Sequence, residues 1–234
     1  MSSIETIVSG HATAVRTGGP TRFTPLLATP WGRALIAGIC VGLIPVVCVT
    51  WVFFDTQFAN QFTQKEWEEW VFLRSIGLLG DALPWICFCA CIFLIGIFGK
   101  RRDIATWAVF LCLSIAASGA VVNLAKFIVM RARPNWHGAI PDGGSFSFPS
   151  GHAATIGAVA VVCMLRWPKM LPMALVLVVL VALNRVTSQN HHITDVIVGV
   201  TFGMISALVV QWCWWKYQPG TFADMGFTRA KKTR

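Results

Sequence analysis

Charge is scarce in this chain: only 12% of its 234 residues are Asp, Glu, Lys or Arg, and ten are acidic. So little charge excludes an ordinary water-soluble surface. It also argues against a two-metal site, which draws on several carboxylates. Metal-type CxxC spacing is missing. The eight cysteines (Cys40, Cys48, Cys87, Cys89, Cys91, Cys112, Cys163 and Cys213) all fall inside apolar stretches and read as small buried hydrophobes, not a disulfide scaffold. Residues 1–32 contain no apolar core of a secretory signal peptide, so the first apolar stretch is expected to act as an uncleaved anchor. No internal repeat or low-complexity block is evident. Although the net charge is +9, the basic tail follows an apolar stretch and carries no nucleic-acid motif or aromatic interleaving. Contact with anionic lipid accounts for it, and no nucleic-acid partner is expected.

What the chain has in abundance is apolar surface, at 56% of residues. Stretches of near-spanning length run over 34–54, 82–99, 104–125, 152–167, 169–183 and 194–215, each bounded by charge, Gly or Pro. The fold expected is an all-α polytopic membrane protein: a bundle of six transmembrane helices with its active site on the extracytoplasmic face. Basic residues near span ends stay in the cytoplasm. Arg16, Arg22 and Arg33, then Lys100, Arg101 and Arg102, then Arg166 and Lys169, and finally Lys216 to Arg234 all fall on one side of a six-span chain. Residues 1–32 and 217–234 are then cytoplasmic tails around a 33–216 membrane domain, in a bacterial inner membrane. In the first outer loop, Phe58, Phe62, Trp67, Trp70 and Leu78 approach helical spacing, as in an aromatic belt or an interfacial helix over 57–78 that guides a lipid to the site.

Three polar clusters interrupt this pattern, and lipid is a costly environment for them. Lys126 and Arg133-Pro134 form the first. Pro134 holds Arg133 extended, so its guanidinium can turn back toward the helix end. Pro149-Ser150-Gly151-His152 forms the second, at a helix start whose unpaired N–H groups attract an anion. Gly151 permits close approach there, while Ser150 is either a helix cap or a hydrogen-bond donor. Arg185, His191 and Asp195 form the third. Guanidinium groups match phosphate oxygens, and residues four apart share a helix face, so Asp195 can fix the tautomer of His191 and leave its other nitrogen free to attack phosphorus. His192 is a competitor for that role, and His191, His192 and Asp195 could together form a metal site. Arg131 is explained by snorkelling to lipid phosphate and is left outside the site.

Taken together, Lys126-x6-Arg133-Pro134, Pro149-Ser150-Gly151-His152 and Arg185-x5-His191-x3-Asp195 resemble the three-part signature of the type-2 phosphatidic acid phosphatase family. By chance the four-residue central motif alone would occur in about one chain per thousand of this size. The resemblance implies that Lys126, Arg133 and Arg185 bind phosphate oxygens, with Ser150 and Gly151 completing the cradle. It further implies that His191 is the nucleophile, Asp195 its orienter and His152 the acid that protonates the leaving oxygen. No metal or other cofactor is then required. One position departs, because Asn184 stands where the family usually has Ser before the arginine.

The function expected is hydrolysis of a lipid phosphomonoester or diphosphate, with undecaprenyl diphosphate, phosphatidylglycerophosphate, phosphatidate and lipid A phosphate as the substrate classes. The partners are that lipid and the bilayer. Transfer of the phosphoryl group to an alcohol acceptor is one alternative, and a non-catalytic lipid-binding or transport protein is another.

Overall fold

The computed structural model describes residues 24–55, 57, 71–135 and 146–217, without the side chains of residues 71–74. Among these residues there are seven α-helices and no strand. Helix α1 is Pro30–Val49. Pro30 opens it and the Thr29 hydroxyl accepts the Gly32 N–H at 3.0 Å, the pairing expected of a helix start. It continues through a π-helical turn, Thr50–Phe54, to Asp55. Helices α2 (Val71–Gly80) and α3 (Ala82–Phe98) meet at Asp81, whose carboxylate caps α3. Helix α4 is Arg102–Val129, and Met130, in the left-handed region at φ 50°, stops it. Helix α5 (Gly151–Arg166) is joined by a short 3-10 turn, Pro168–Met170, to α6 (Leu171–Thr187), and α7 is Ile193–Tyr217.

Four of these segments, Pro30–Phe54, Arg102–Val129, Pro168–Thr187 and Ile193–Tyr217, are long and apolar enough to cross a membrane. Helices α3 and α5 are apolar but shorter, at 17 and 16 residues. The six fall on the six apolar stretches read from the sequence.

Helix α5 lies against α4, α6 and α7. Its Ile156, Val159 and Val162 meet Phe110, Leu111 and Ile115 of α4, Val181 of α6 and Ala207 of α7 in one buried cluster. Lipid is as apolar as leucine, so helices in a membrane associate through close packing and small residues rather than through expulsion of water. Helix α7 follows that rule. A Cβ on Gly203 would come within 2.0 Å of the Ala154 carbonyl oxygen, so only glycine lets the α5 and α7 backbones approach this closely.

The outer loop residues Phe58, Phe62, Trp67 and Trp70 lie outside the described residues, as do residues 1–23 and 136–145 and the C-terminal tail, 218–234. The described part of the proposed interfacial segment is α2, which packs against α5 and α6 as part of the bundle.

Candidate active site

Alternating helix directions bring the C-terminal ends of α4 and α6 to the same end of the bundle as the N-terminal ends of α5 and α7. Lys126 therefore sits in the last turn of α4, His152 in the first turn of α5, Arg185 in the last turn of α6 and Asp195 in the first turn of α7. Arg133 follows α4, and His191 precedes α7 in the short loop after α6. The sequence scattered these groups over three clusters, and the fold makes them neighbours. Lys126 is within electrostatic reach of Arg133, Arg185 and Asp195; His152 is within reach of Arg185, His191 and Lys126.

His191 is buried at 3% exposure, and its Nδ1 stands 2.7 Å from the Ser147 carbonyl oxygen. A carbonyl only accepts, so Nδ1 carries the proton and Nε2 keeps its lone pair. The i,i+4 spacing gives this bond to Asp195, but the Asp195 carboxylate stands 3.7 Å from Nδ1. Asp195 works instead on the surroundings: its Oδ2 accepts the Ser147 hydroxyl and, at 2.8 Å, the His192 N–H. Burial holds His191 well below its ordinary value, at about 4, although the neighbouring carboxylate opposes the shift. The ring is therefore neutral at physiological pH. The His192 ring lies 3.3 Å from Asp195, closer than that of His191, but the cations Arg133 and Arg185 and the second histidine, His152, bear on His191.

The cations are arranged unevenly. Arg133 donates to the Asn190 side chain at 3.1 Å, and burial lowers its proton affinity, with Asp195 opposing. The Nε–H of Arg185 is buried with no hydrogen-bond partner among the described residues. Neither Lys126 nor Arg185 makes an ion pair among those residues, although the exposed carboxylate of Asp81 lies within electrostatic reach of Arg185 and His152. Half-buried cations with no ion-pair partner among the described residues attract an anion.

Ser150 acts as a helix cap, its hydroxyl accepting the Ala153 N–H at 3.4 Å, while its own N–H is bonded to the Asp195 carbonyl at 2.9 Å. Gly151 is not crowded: a Cβ there would meet nothing nearer than Val122 at 3.9 Å. Gly80, at the end of α2, sets the position of His152, because a Cβ on it would come within 2.7 Å of the His152 Cβ. No three His, Cys, Asp or Glu side chains gather in a metal-binding arrangement among the described residues.

Arg131 requires a correction. It does not snorkel; its side chain is 12% exposed and pairs with two fully buried carboxylates, Asp195 at 2.7 Å and Asp55 at 2.8 Å. A carboxylate buried as deeply as Asp195 requires a cation, and that charge balance was the available signal. Ser147 was also missed, because a backbone carbonyl that orients a ring leaves no trace in residue type.

Residues 107–219 match the family model of the PAP2 superfamily. The match takes in 113 of the 234 residues, and over that stretch the chain resembles that superfamily. Two curated relatives, the lipid A 1-phosphatases of Rhizobium johnstonii and Rhizobium etli, are each 31% identical over 121 residues, which cover 44% of this chain and 48% and 50% of theirs. The chain thus spans about half the length of the curated relatives it matches. The crystal structure of a transmembrane PAP2-type phosphatidylglycerolphosphate phosphatase from Bacillus subtilis has a TM-score of 0.61 at 19% identity, covering 79% of this chain and 98% of that one. That likeness establishes a shared fold. The matched residues 107–219 include all three polar clusters, whereas α1, α2 and α3 precede them.

Proposed function

We propose that the protein is a membrane lipid phosphatase that works through a phosphohistidine at His191. The observation that carries this reading is the pairing of a buried, neutral His191, its Nδ1 engaged by Ser147, with the cations Lys126 and Arg185, which have no ion-pair partner among the described residues. A nucleophilic nitrogen beside a concentrated positive charge suits a phosphoryl group.

In this mechanism Lys126, Arg133 and Arg185 hold the phosphate oxygens, with the α5 N-terminus at Gly151 completing the cradle. His191 Nε2 attacks phosphorus as the bond to the lipid oxygen breaks, and His152 gives that oxygen its proton. A water molecule, losing its proton to His152, then attacks the phosphohistidine. Phosphate leaves and His191 regains its lone pair. Arginine and lysine neutralise the transferring group, so the reaction is metal-independent. The curated relatives suggest lipid A phosphate, and the structural neighbour phosphatidylglycerophosphate, as the first substrates to try. We place the site on the extracytoplasmic face of a six-span protein in a bacterial inner membrane, with both termini in the cytoplasm. The basic residues at the opposite helix ends support that orientation.

The test is phosphate release by the purified full chain in detergent with EDTA. The panel comprises lipid A phosphate, phosphatidylglycerophosphate, phosphatidate and undecaprenyl diphosphate. The parent should release phosphate from at least one, and His191→Ala should not. Abolition of the parent's activity by EDTA would remove the metal-independent mechanism, and recovery of phosphate on an added alcohol instead of as free phosphate would identify a phosphotransferase.

A further inference from the structure

Asp55 ends the first membrane-spanning helix, outside the residues matched to the superfamily, yet it is 1% exposed and contacts the groups around Asp195. Its Oδ1 accepts the Thr194 N–H at 3.1 Å, so a carboxylate from α1 caps the first turn of α7 across 139 residues of sequence. Its Oδ2 accepts from the Thr194 hydroxyl and, at 2.8 Å, from Arg131. The other end of the same guanidinium donates to the Thr194 hydroxyl and to Asp195, each at 2.7 Å. Two buried carboxylates would repel each other at the start of α7. The fork of Arg131 lies between them and satisfies both. The Trp51 ring, one turn before Asp55, lies 3.7 Å from the Arg131 guanidinium carbon and covers its face.

The chain of contacts ends at the nucleophile. Ser147 donates its N–H to the Arg131 carbonyl at 2.7 Å and its hydroxyl to Asp195, and its carbonyl holds His191 Nδ1 at 2.7 Å. Among the described residues, α1 also meets the bundle through the short 3-10 turn Leu26–Ala28 against α7 and through the Trp51–Phe148 ring pair. Its 18-residue apolar core has no buried residue, and a cavity of about 250 Å³, lined by Leu43, Ile44, Val47, Ile197 and Phe202, separates it from α7. The polar contacts of Asp55 and Trp51 are what hold its outer end against the bundle.

We propose that Asp55 is a positioning residue for catalysis: it fixes Arg131 and Thr194, which hold Asp195 and Ser147, which in turn set the His191 ring at its angle of attack. This deepens the proposed phosphatase reading and rests on it. The first helix is then part of the catalytic apparatus as well as an anchor.

The experiment measures kcat, KM and orthovanadate affinity, the last by calorimetry, for purified full-chain Asp55→Asn, Thr194→Val and Thr194→Ser. The substrate is the panel lipid that the parent turns over fastest. Loss of a group that orients a reacting residue typically costs about 10–100-fold. Asp55→Asn and Thr194→Val should lower kcat by that factor with KM within about twofold, vanadate affinity should fall alongside kcat, and Thr194→Ser should restore most of the loss. A purely structural role would lower the yield of folded protein and leave kcat per folded molecule unchanged. Asp55→Asn with parental kcat and vanadate affinity would overturn the proposal. If Asp55→Asn does not fold, the Thr194 pair decides: equal kcat for Val and Ser overturns it. Phosphate release that survives His191→Ala would instead remove the phosphatase mechanism, and vanadate affinity in the Asp55 and Thr194 variants would still decide on positioning.

Discussion

The Ser147 carbonyl oxygen lies 2.7 Å from Nδ1 of His191, and this contact decides which ring nitrogen is free to react. Ser147 is itself fixed by Asp195 and by the Arg131 backbone. Asp195 therefore governs His191 at one remove, through the residue that holds the ring.

The two adjacent histidines should separate sharply. His191→Ala removes the proposed nucleophile and is expected to lower kcat by at least about 10³-fold, the scale seen when a reacting group is lost. His192→Ala leaves the Ser147 bond in place and should cost about tenfold or less. Steady-state kinetics on both variants check this, and the reverse order would transfer the nucleophilic role to His192.

Gly151→Ala separates folding from function. The site is open, with Val122 at 3.9 Å from the added Cβ, and alanine is favoured over glycine in a helix by roughly 0.5–1 kcal/mol. The thermal midpoint should hold or rise while phosphate release falls about tenfold or more, if the methyl group occupies space that the proposed cradle gives to phosphate oxygens. Parental activity would show that the phosphate lies elsewhere.

Gly80→Ala acts on His152 by contact. The new methyl would stand 2.7 Å from the His152 Cβ and 2.9 Å from Val181, so α2 must move or the imidazole must turn. Overpacking of this kind costs about 1–3 kcal/mol. Folded protein should be recovered with lower kcat, and the deficit should be smaller for a substrate whose leaving group needs no proton, such as para-nitrophenyl phosphate. An equal deficit on both substrates would contradict a proton-donating role for His152.

Acid should weaken the fold partly through His191. Burial lowers its folded value to about 4, below the unfolded value of about 6.5, so the unfolded chain binds the extra proton between these limits. Its contribution to stability is full above about 6.5 and is lost as pH falls toward 4. The gap in thermal midpoint between the parent and His191→Gln should therefore be constant above pH 6.5 and shift against the parent below it. A shift in the parent's favour on acidification would show that the ring is protonated in the folded state.

The sequence made one part of the site legible and concealed another for a physical reason. Lys126, Arg133, His152, Arg185, His191 and Asp195 stand at the ends of apolar stretches, where a charge or imidazole is costly, so each was conspicuous by its residue type and local spacing. The six apolar helices were visible for the same reason, as uninterrupted hydrophobic runs. Asp55, Arg131, Ser147 and Thr194 act through side-chain contacts that span 44 to 139 residues, and no periodicity encodes such pairings. Arg131 was the recoverable case. Two residues before Arg133 on an extended strand of chain, it shares that residue's side, and the buried Asp195 lacked a partner. The position of Asp55 was not recoverable, because it depends on how α1 leans on α7.

The central claim is that phosphate passes through a covalent bond to His191. Brief exposure of the purified protein to a ³²P-labelled lipid phosphate, followed by rapid quenching in alkali and peptide mapping, tests it most directly. The account predicts an alkali-stable, acid-labile label on the peptide containing His191, present in the parent and absent from His191→Ala. Label on another residue, or full turnover with no labelled protein at any quench time, would contradict it.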